Sequence, residues 1–259
     1  MQFLAFFAVS SILFWGTTYS IVFDTYLDTS NPRLAHLHQS SGSTHFWADK
    51  RSLLNVYFIK QAWGWTSAAF LLACCTGHDH TRVLQSFRRW FTASAAWTLL
   101  TRWCFGPSIF DRIILSTGGE CVLPSLSASK DLTIFSVPLH FCLTRTSISP
   151  DSHPYIFRGS SFHAYDGQGG KPRLSRGHDV SGHTFLLSLS VLLLAEQIRP
   201  HFGLPHWSKA QALAVCSNMA LILVWLFAIG TTSVYFHTPE EKISGYVLGV
   251  ASFGLSQIS

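Results

Sequence analysis

The chain has 259 residues, 48% of them hydrophobic and only 12% charged, and its mean hydropathy is +0.27. Nine Trp and 21 Phe add to this, since aromatic richness of this order suits side-chain belts at both surfaces of a bilayer. The formal charge of +5 is not gathered into a basic stripe outside the apolar segments, which argues against nucleic-acid recognition.

In chain order, the first apolar run, 3–23, reads as a transmembrane helix. A cleaved signal is the lesser alternative, because neither a basic leader nor a small-residue cleavage site is clear. Residues 24–60 are polar, punctuated by Asn31-Pro32 and Ser40-Ser41-Gly42-Ser43, and read as a loop whose end mixes charge with aromatics at the interface. A second span is expected at 61–77, short unless residues 57–59 belong to it. A compact polar connection at 77–89 carries Arg82, Arg88 and Arg89. The third span, 90–105, holds Arg102 near its end as a snorkelling anchor and stops at Gly106-Pro107.

Residues 120–170 are rich in Ser, Gly and Pro without a dependable period, so a long irregular loop is expected there. Cys121 and Cys142 share it and are able to pair if it lies outside the cytosol. Further spans are expected at 184–198, 210–236 and 243–258, with Asn218 in the fifth acting as interhelical glue. The expected fold is thus an all-α polytopic membrane protein: six transmembrane helices forming one membrane domain over 1–259.

Orientation follows from the short connections. Those at 77–89 and 199–209 carry Arg82, Arg88, Arg89, Arg199 and Lys209, which places both in the cytosol, and with them both termini. His183 and His237, which flank different helices, then fall on the same opposite face.

Two constellations on that face carry chemistry. Ser181-Gly182-His183 opens an apolar helix, where backbone N–H groups and the positive dipole end favour an anion. Lys171, Arg173 and Arg176 lie just upstream, cations suited to clamp phosphate oxygens and to offset charge in phosphoryl transfer. The plainer reading is a capping histidine with lipid-facing bases. In Tyr235-Phe236-His237-Thr238-Pro239-Glu240-Glu241-Lys242, His237 and Glu241 are four apart. A carboxylate holding one ring nitrogen frees the other as nucleophile or base; the plainer reading is an interfacial histidine beside a helix-capping glutamate. A zinc site built on His178, His183 and His237 is a further alternative, but no compact ligand motif is present, and neither metal nor cofactor is expected.

Four blocks, in order along the chain, resemble the fat-storage-inducing transmembrane family of endoplasmic reticulum proteins. They are Asn55-Val56-Tyr57-Phe58-Ile59-Lys60 with Trp63-Gly64-Trp65-Thr66; Phe105-Gly106-Pro107-Ser108-Ile109-Phe110-Asp111-Arg112 with Thr117-Gly118-Gly119; Gly177-His178-Asp179-Val180-Ser181-Gly182-His183-Thr184-Phe185; and Tyr235-Phe236-His237-Thr238 with Glu241-Lys242 and Gly245. The resemblance implies six spans, cytosolic termini and a lumenal active site. The family is similar to type 2 lipid phosphatases. Carried over, His183 protonates the leaving group, His237 forms a phosphohistidine, and Glu241 stands where the phosphatases place an aspartate.

The activity implied is cleavage of the diphosphate of fatty acyl-CoA to acyl 4′-phosphopantetheine and adenosine 3′,5′-bisphosphate, in support of endoplasmic reticulum lipid balance, phospholipid synthesis and lipid-droplet formation. Fatty acyl-CoA and membrane lipids are the expected partners. The sequence departs from the phosphatases in two ways: Thr231 stands where they have an arginine six residues before the second histidine, and their full Lys-x₆-Arg-Pro motif is missing. Residues 121–161 are also longer and less patterned than the family leads one to expect. Alternative functions are a lipid phosphate phosphatase and a non-catalytic binder of triacylglycerol or diacylglycerol.

Overall fold

The computed structural model describes residues 1–26, 53–77, 80–102, 106–126, 132–158 and 169–258. Most of the loop expected at 24–60, and Cys104 at the end of the expected third span, lie outside them. The described chain is mostly helical and divides into two compact units, where the sequence reading expected one domain.

The first unit holds the long helices. Helix α1 (Gln2–Val22) fills the first expected span. Helix α2 (Ala62–Cys75) is entered through a π turn at Leu54–Phe58 and a 3₁₀ turn at Ile59–Gln61, so residues 57–59 lie in helical turns just ahead of it. Helix α3 (His80–Thr101) corrects the reading of 77–89 as a connection: Arg82, Arg88 and Arg89 lie within one continuous helix. Three more helices follow, α7 (Gly182–Ile198), α8 (Lys209–Tyr235) and α9 (Pro239–Ile258). Between α7 and α8 runs a 3₁₀ turn at Arg199–Gly203.

Local chemistry sets these boundaries. Ser208 and Gln211 form a reciprocal capping box at the start of α8, satisfying two of the N–H groups that a helix start leaves unpaired. Pro239 opens α9 where its missing N–H costs nothing, and Glu240 and Glu241 occupy the first turn against the positive dipole end.

Helix α7 is the axis of this unit. It packs against α1, α2, α8 and α9, and 14 of its 17 residues are buried. Helices in lipid gain little from apolar burial and associate through close packing and hydrogen bonds. Both occur here. Asn218 Nδ2 on α8 donates to the Ala69 carbonyl of α2 at 2.8 Å, and Trp225 Nε1 donates to Thr66 Oγ1 at 3.1 Å. Among the described residues two helices, α1 and α8, are long and apolar enough to cross a membrane by length and composition. Helix α7 is 17 residues long, and α9 carries Glu240, Glu241 and Lys242 in its first turn.

The second unit covers the described residues of 100–180. Where an irregular loop was expected at 120–170, it carries an antiparallel sheet. Strand β1 (Glu120–Leu126) pairs with β2 (Leu132–Ser136) on one side and β3 (Arg173–Ser175) on the other. Short helices α4 (Ile109–Ser116), α5 (Leu139–Thr144) and α6 (Pro154–Phe157) complete it. Leu123, Phe135, Val137, Phe141, Ile148 and Ile156 form its core together with a Cys121–Cys142 disulfide. A core this small is of the kind that a cross-link commonly supports. Ser108 and Asp111 form the capping box of α4, and Gly177 runs so close to Ile114 that a Cβ there would collide with its backbone.

Candidate active site

Ser181, Gly182 and His183 enter α7 as the sequence suggests. Ser181 is its N-cap: fully buried, its Oγ accepts from the Thr184 N–H and lies 2.9 Å from Thr184 Oγ1. The Ser181 N–H in turn donates 3.0 Å to the carbonyl of Glu241 on α9. A backbone bond therefore ties the head of α7 to the first turn of α9, joining the two constellations that the sequence sets 60 residues apart.

The second constellation is built around the Glu241 carboxylate, which is 2% exposed. Its Oε2 accepts from the Thr238 N–H at 2.9 Å and lies 3.3 Å from His237 Nδ1. The Glu241 N–H donates to Thr238 Oγ1 at 3.4 Å, so Thr238 and Glu241 also make a capping box. Glu241 thus caps and orients at once. The Nδ1 side of the ring is directed at the carboxylate. His237 has φ 60°, the left-handed region that a residue with a Cβ enters at a cost, and such strain gathers at functional sites.

Glycines set the closeness of α7 and α9. A Cβ at Gly245 would run into the Ser181 carbonyl and lie 3.3 Å from the Phe185 nitrogen; one at Gly249 would lie 2.7 Å from the Phe185 oxygen and 3.1 Å from the Ser188 Cβ. Spaced four apart, the pair lets backbone meet backbone, as small-xxx-small crossings do in membranes.

Sequence reasoning gave no role to Lys242. It is fully buried, and its ammonium donates to Ser20 Oγ on α1 at 3.0 Å and to the Ser233 carbonyl on α8 at 2.7 Å, with the Tyr26 ring 5.1 Å away. The available signal was a lysine placed just before an apolar run, where an uncompensated charge is costly.

Lys171, Arg173 and Arg176 belong to the second unit and are exposed. Arg173 pairs with Val122 in the sheet, and Arg176 forms an ion pair with Glu120 at 3.0 Å. Among the described residues no group of three or more His, Cys, Asp or Glu is placed to hold a metal ion.

The profile of a family described as fat storage-inducing transmembrane protein matches residues 43–217 and 206–255. An acyl-coenzyme A diphosphatase of Schizosaccharomyces pombe is 25% identical over 247 residues, covering 95% of this chain and 80% of that protein. Acyl-coenzyme A diphosphatases of Xenopus tropicalis and Homo sapiens are each 25% identical, covering 80% of this chain and 70% and 69% of their own lengths. No solved structure matches.

Proposed function

Because this chain belongs to the fat storage-inducing transmembrane family, we propose that it hydrolyses the diphosphate of fatty acyl-CoA to acyl 4′-phosphopantetheine and adenosine 3′,5′-bisphosphate. It would be a hydrolase of acid anhydrides, as the relatives' name describes for them. The observation that carries the reading is the joined pair of segments: His237 backed by the buried Glu241, whose carbonyl receives the Ser181 N–H of the Ser-Gly-His turn.

In the proposed reaction His237 Nε2 attacks one phosphorus of the diphosphate. The bond from that phosphorus to the bridging oxygen breaks, and His183 gives its proton to the departing phosphate. Water then attacks the phosphohistidine, His183 takes a proton from that water, and His237 is released. Glu241 keeps the Nδ1 side occupied and steadies the positive charge that develops on the ring. The positive dipole end at the head of α7 and the guanidinium and ammonium groups of Lys171, Arg173 and Arg176 would stabilise charge on the phosphates.

The proposal places six spans in the endoplasmic reticulum membrane, with the histidines on the lumenal side. The Cys121–Cys142 disulfide supports this orientation, since such bonds persist in oxidising compartments and are rare in the cytosol. The acyl chain would lie among the helices and the nucleotide at the wet surface.

The test is mass spectrometry of the products after purified protein meets oleoyl-CoA in EDTA, with His183→Ala and His237→Ala alongside. Appearance of both products with wild type and loss of both in each variant is expected. An inert wild type that still binds neutral lipid would reverse the assignment.

A further inference from the structure

The cytosolic end of α7 in the proposed orientation, the end away from the histidines, borders a cavity of about 600 Å³. From His183 to Glu196 is thirteen residues of helix, or roughly 20 Å, so the cavity is separate from the site described above. Its walls come from five elements of the first unit: α2 gives Ala73 and Cys74, α3 gives Arg82 and Arg89, α7 gives Glu196, the 3₁₀ turn gives Arg199 and His201, and α8 gives Gln211.

Two buried groups point to a ligand. The Glu196 carboxylate is 5% exposed; its Oε1 meets Arg89 at 3.5 Å and Arg199 at 3.1 Å, while Oε2 has no hydrogen-bond partner among the described residues. His201 is 6% exposed, and its Nδ1 is likewise without one. Leaving such an atom dry and unpaired costs about 1–3 kcal/mol, so two on one cavity wall mark a place where something hydrogen-bonds. Among the described residues, Arg89 and Arg199 set two guanidiniums against the one Glu196 carboxylate, which leaves positive charge in excess and selects an anion. The second carboxylate oxygen asks that the same ligand bring an N–H or O–H donor. Leu204 lines the cavity and is exposed, and Phe202 in the 3₁₀ turn and Trp207 just after it are exposed large side chains too. Aromatic and apolar groups of this kind sit at the level where headgroups meet acyl chains.

We propose that this cavity binds the headgroup of an anionic phospholipid that carries a hydrogen-bond donor, with phosphatidylserine as the fitting type. Its phosphate and carboxylate meet Arg82, Arg89 and Arg199, and its ammonium donates to Glu196 Oε2. Phosphatidylcholine lacks any N–H, and phosphatidate lacks the ammonium. The inference does not depend on the diphosphatase reading, and its test reads retained lipid rather than turnover.

Full-length protein is reconstituted in nanodiscs of equal parts phosphatidylserine and phosphatidylcholine, and the lipid retained is counted by native mass spectrometry. Wild type is expected to retain phosphatidylserine over phosphatidylcholine by about tenfold, the worth of one charge-assisted hydrogen bond. Arg199→Gln and Arg82→Gln, checked for a wild-type melting temperature, bring that ratio close to one. A measurement on wild type alone guards against misfolded variants: glycerophosphoserine displaces the retained lipid, and inorganic phosphate at equal concentration does not. Equal retention of the two lipids by wild type, or an unchanged ratio in folded Arg199→Gln, overturns the proposal. Inorganic phosphate displacing as well as glycerophosphoserine overturns the lipid assignment and makes the ligand a free phosphate.

Discussion

Replacing Gly245 by Ala adds one carbon at the point where α9 crosses the head of α7. That carbon would overlap the Ser181 carbonyl oxygen and lie 3.2 Å from the carbonyl carbon and 3.3 Å from the Phe185 nitrogen. All three are backbone atoms, so no rotamer change relieves the contact. A Cβ keeps at least 3.0 Å from heavy atoms, so α9 must back away by about half an ångström or more, in packing too dense to absorb it. Overpacking of this size costs about 1–3 kcal/mol. The shift also stretches the Ser181 N–H bond to Glu241 and displaces the His237–Glu241 pair from the Ser181–His183 turn. Misplacement near 1 Å costs about a hundredfold in rate, so a drop in kcat of tenfold or more is expected, with a lower melting temperature. Gly254 on the same helix is the control: a Cβ there meets nothing within 4 Å. Gly254→Ala should leave turnover unchanged and stabilise by about 0.5–1 kcal/mol through helix propensity. The assay is acyl-CoA hydrolysis beside a thermal melt. Wild-type turnover and melting in Gly245→Ala, or equal damage from Gly254→Ala, would refute the reasoning.

Lys242→Met keeps the bulk but leaves the Ser233 carbonyl without its donor, and a loss of about 2 kcal/mol is expected. A raised melting temperature would mean instead that desolvation of the buried ammonium dominates. Replacing Cys121 and Cys142 together by Ser opens a link across a sequence separation of 21 and should cost the second unit about 3 kcal/mol, read as earlier proteolysis within 106–158. Burial holds the His201 imidazole below the usual histidine range, with the Ile198 backbone acting more weakly the other way. The unfolded chain therefore takes up that proton first as pH falls. The stability is complete above about pH 6.5 and declines below it. Arg82, Arg89, Arg199 and Glu196 line the same cavity. Melting of His201→Gln should depend less on pH than wild type between about 5 and 6.5; equal slopes would refute the assignment.

Where local chemistry decides structure, the sequence was a good guide. Ser181 as an N-cap, Pro239 with two glutamates as a helix start, and His237 four residues before Glu241 are all short-range patterns, and the structure keeps them. The hydrogen bond from Ser181 to Glu241 was not readable, because it joins segments whose meeting depends on how α7 and α9 cross. The continuity of α3 was missed because three arginines in ten residues resemble a loop. Arg82 and Arg89 are two turns apart on one face, and Arg89 finds its partner in Glu196, far along the chain. The sheet escaped notice because β1 contains Pro124, a residue that counts against a strand, and because β3 has only three residues. Lys242 was passed over because its partners, Ser20 and Ser233, stand on two other helices.

The enclosure of α7 has a mechanical consequence. Bilayers differ in thickness, and a helix facing lipid answers by tilting or by deforming its surroundings. Helix α7 is sheathed by α1, α2, α8 and α9, so it meets such changes only through its neighbours. In the six-span placement proposed above, the Ser-Gly-His turn at its head is therefore shielded from thinning and curvature of the surrounding membrane, while the outer helices take up the strain.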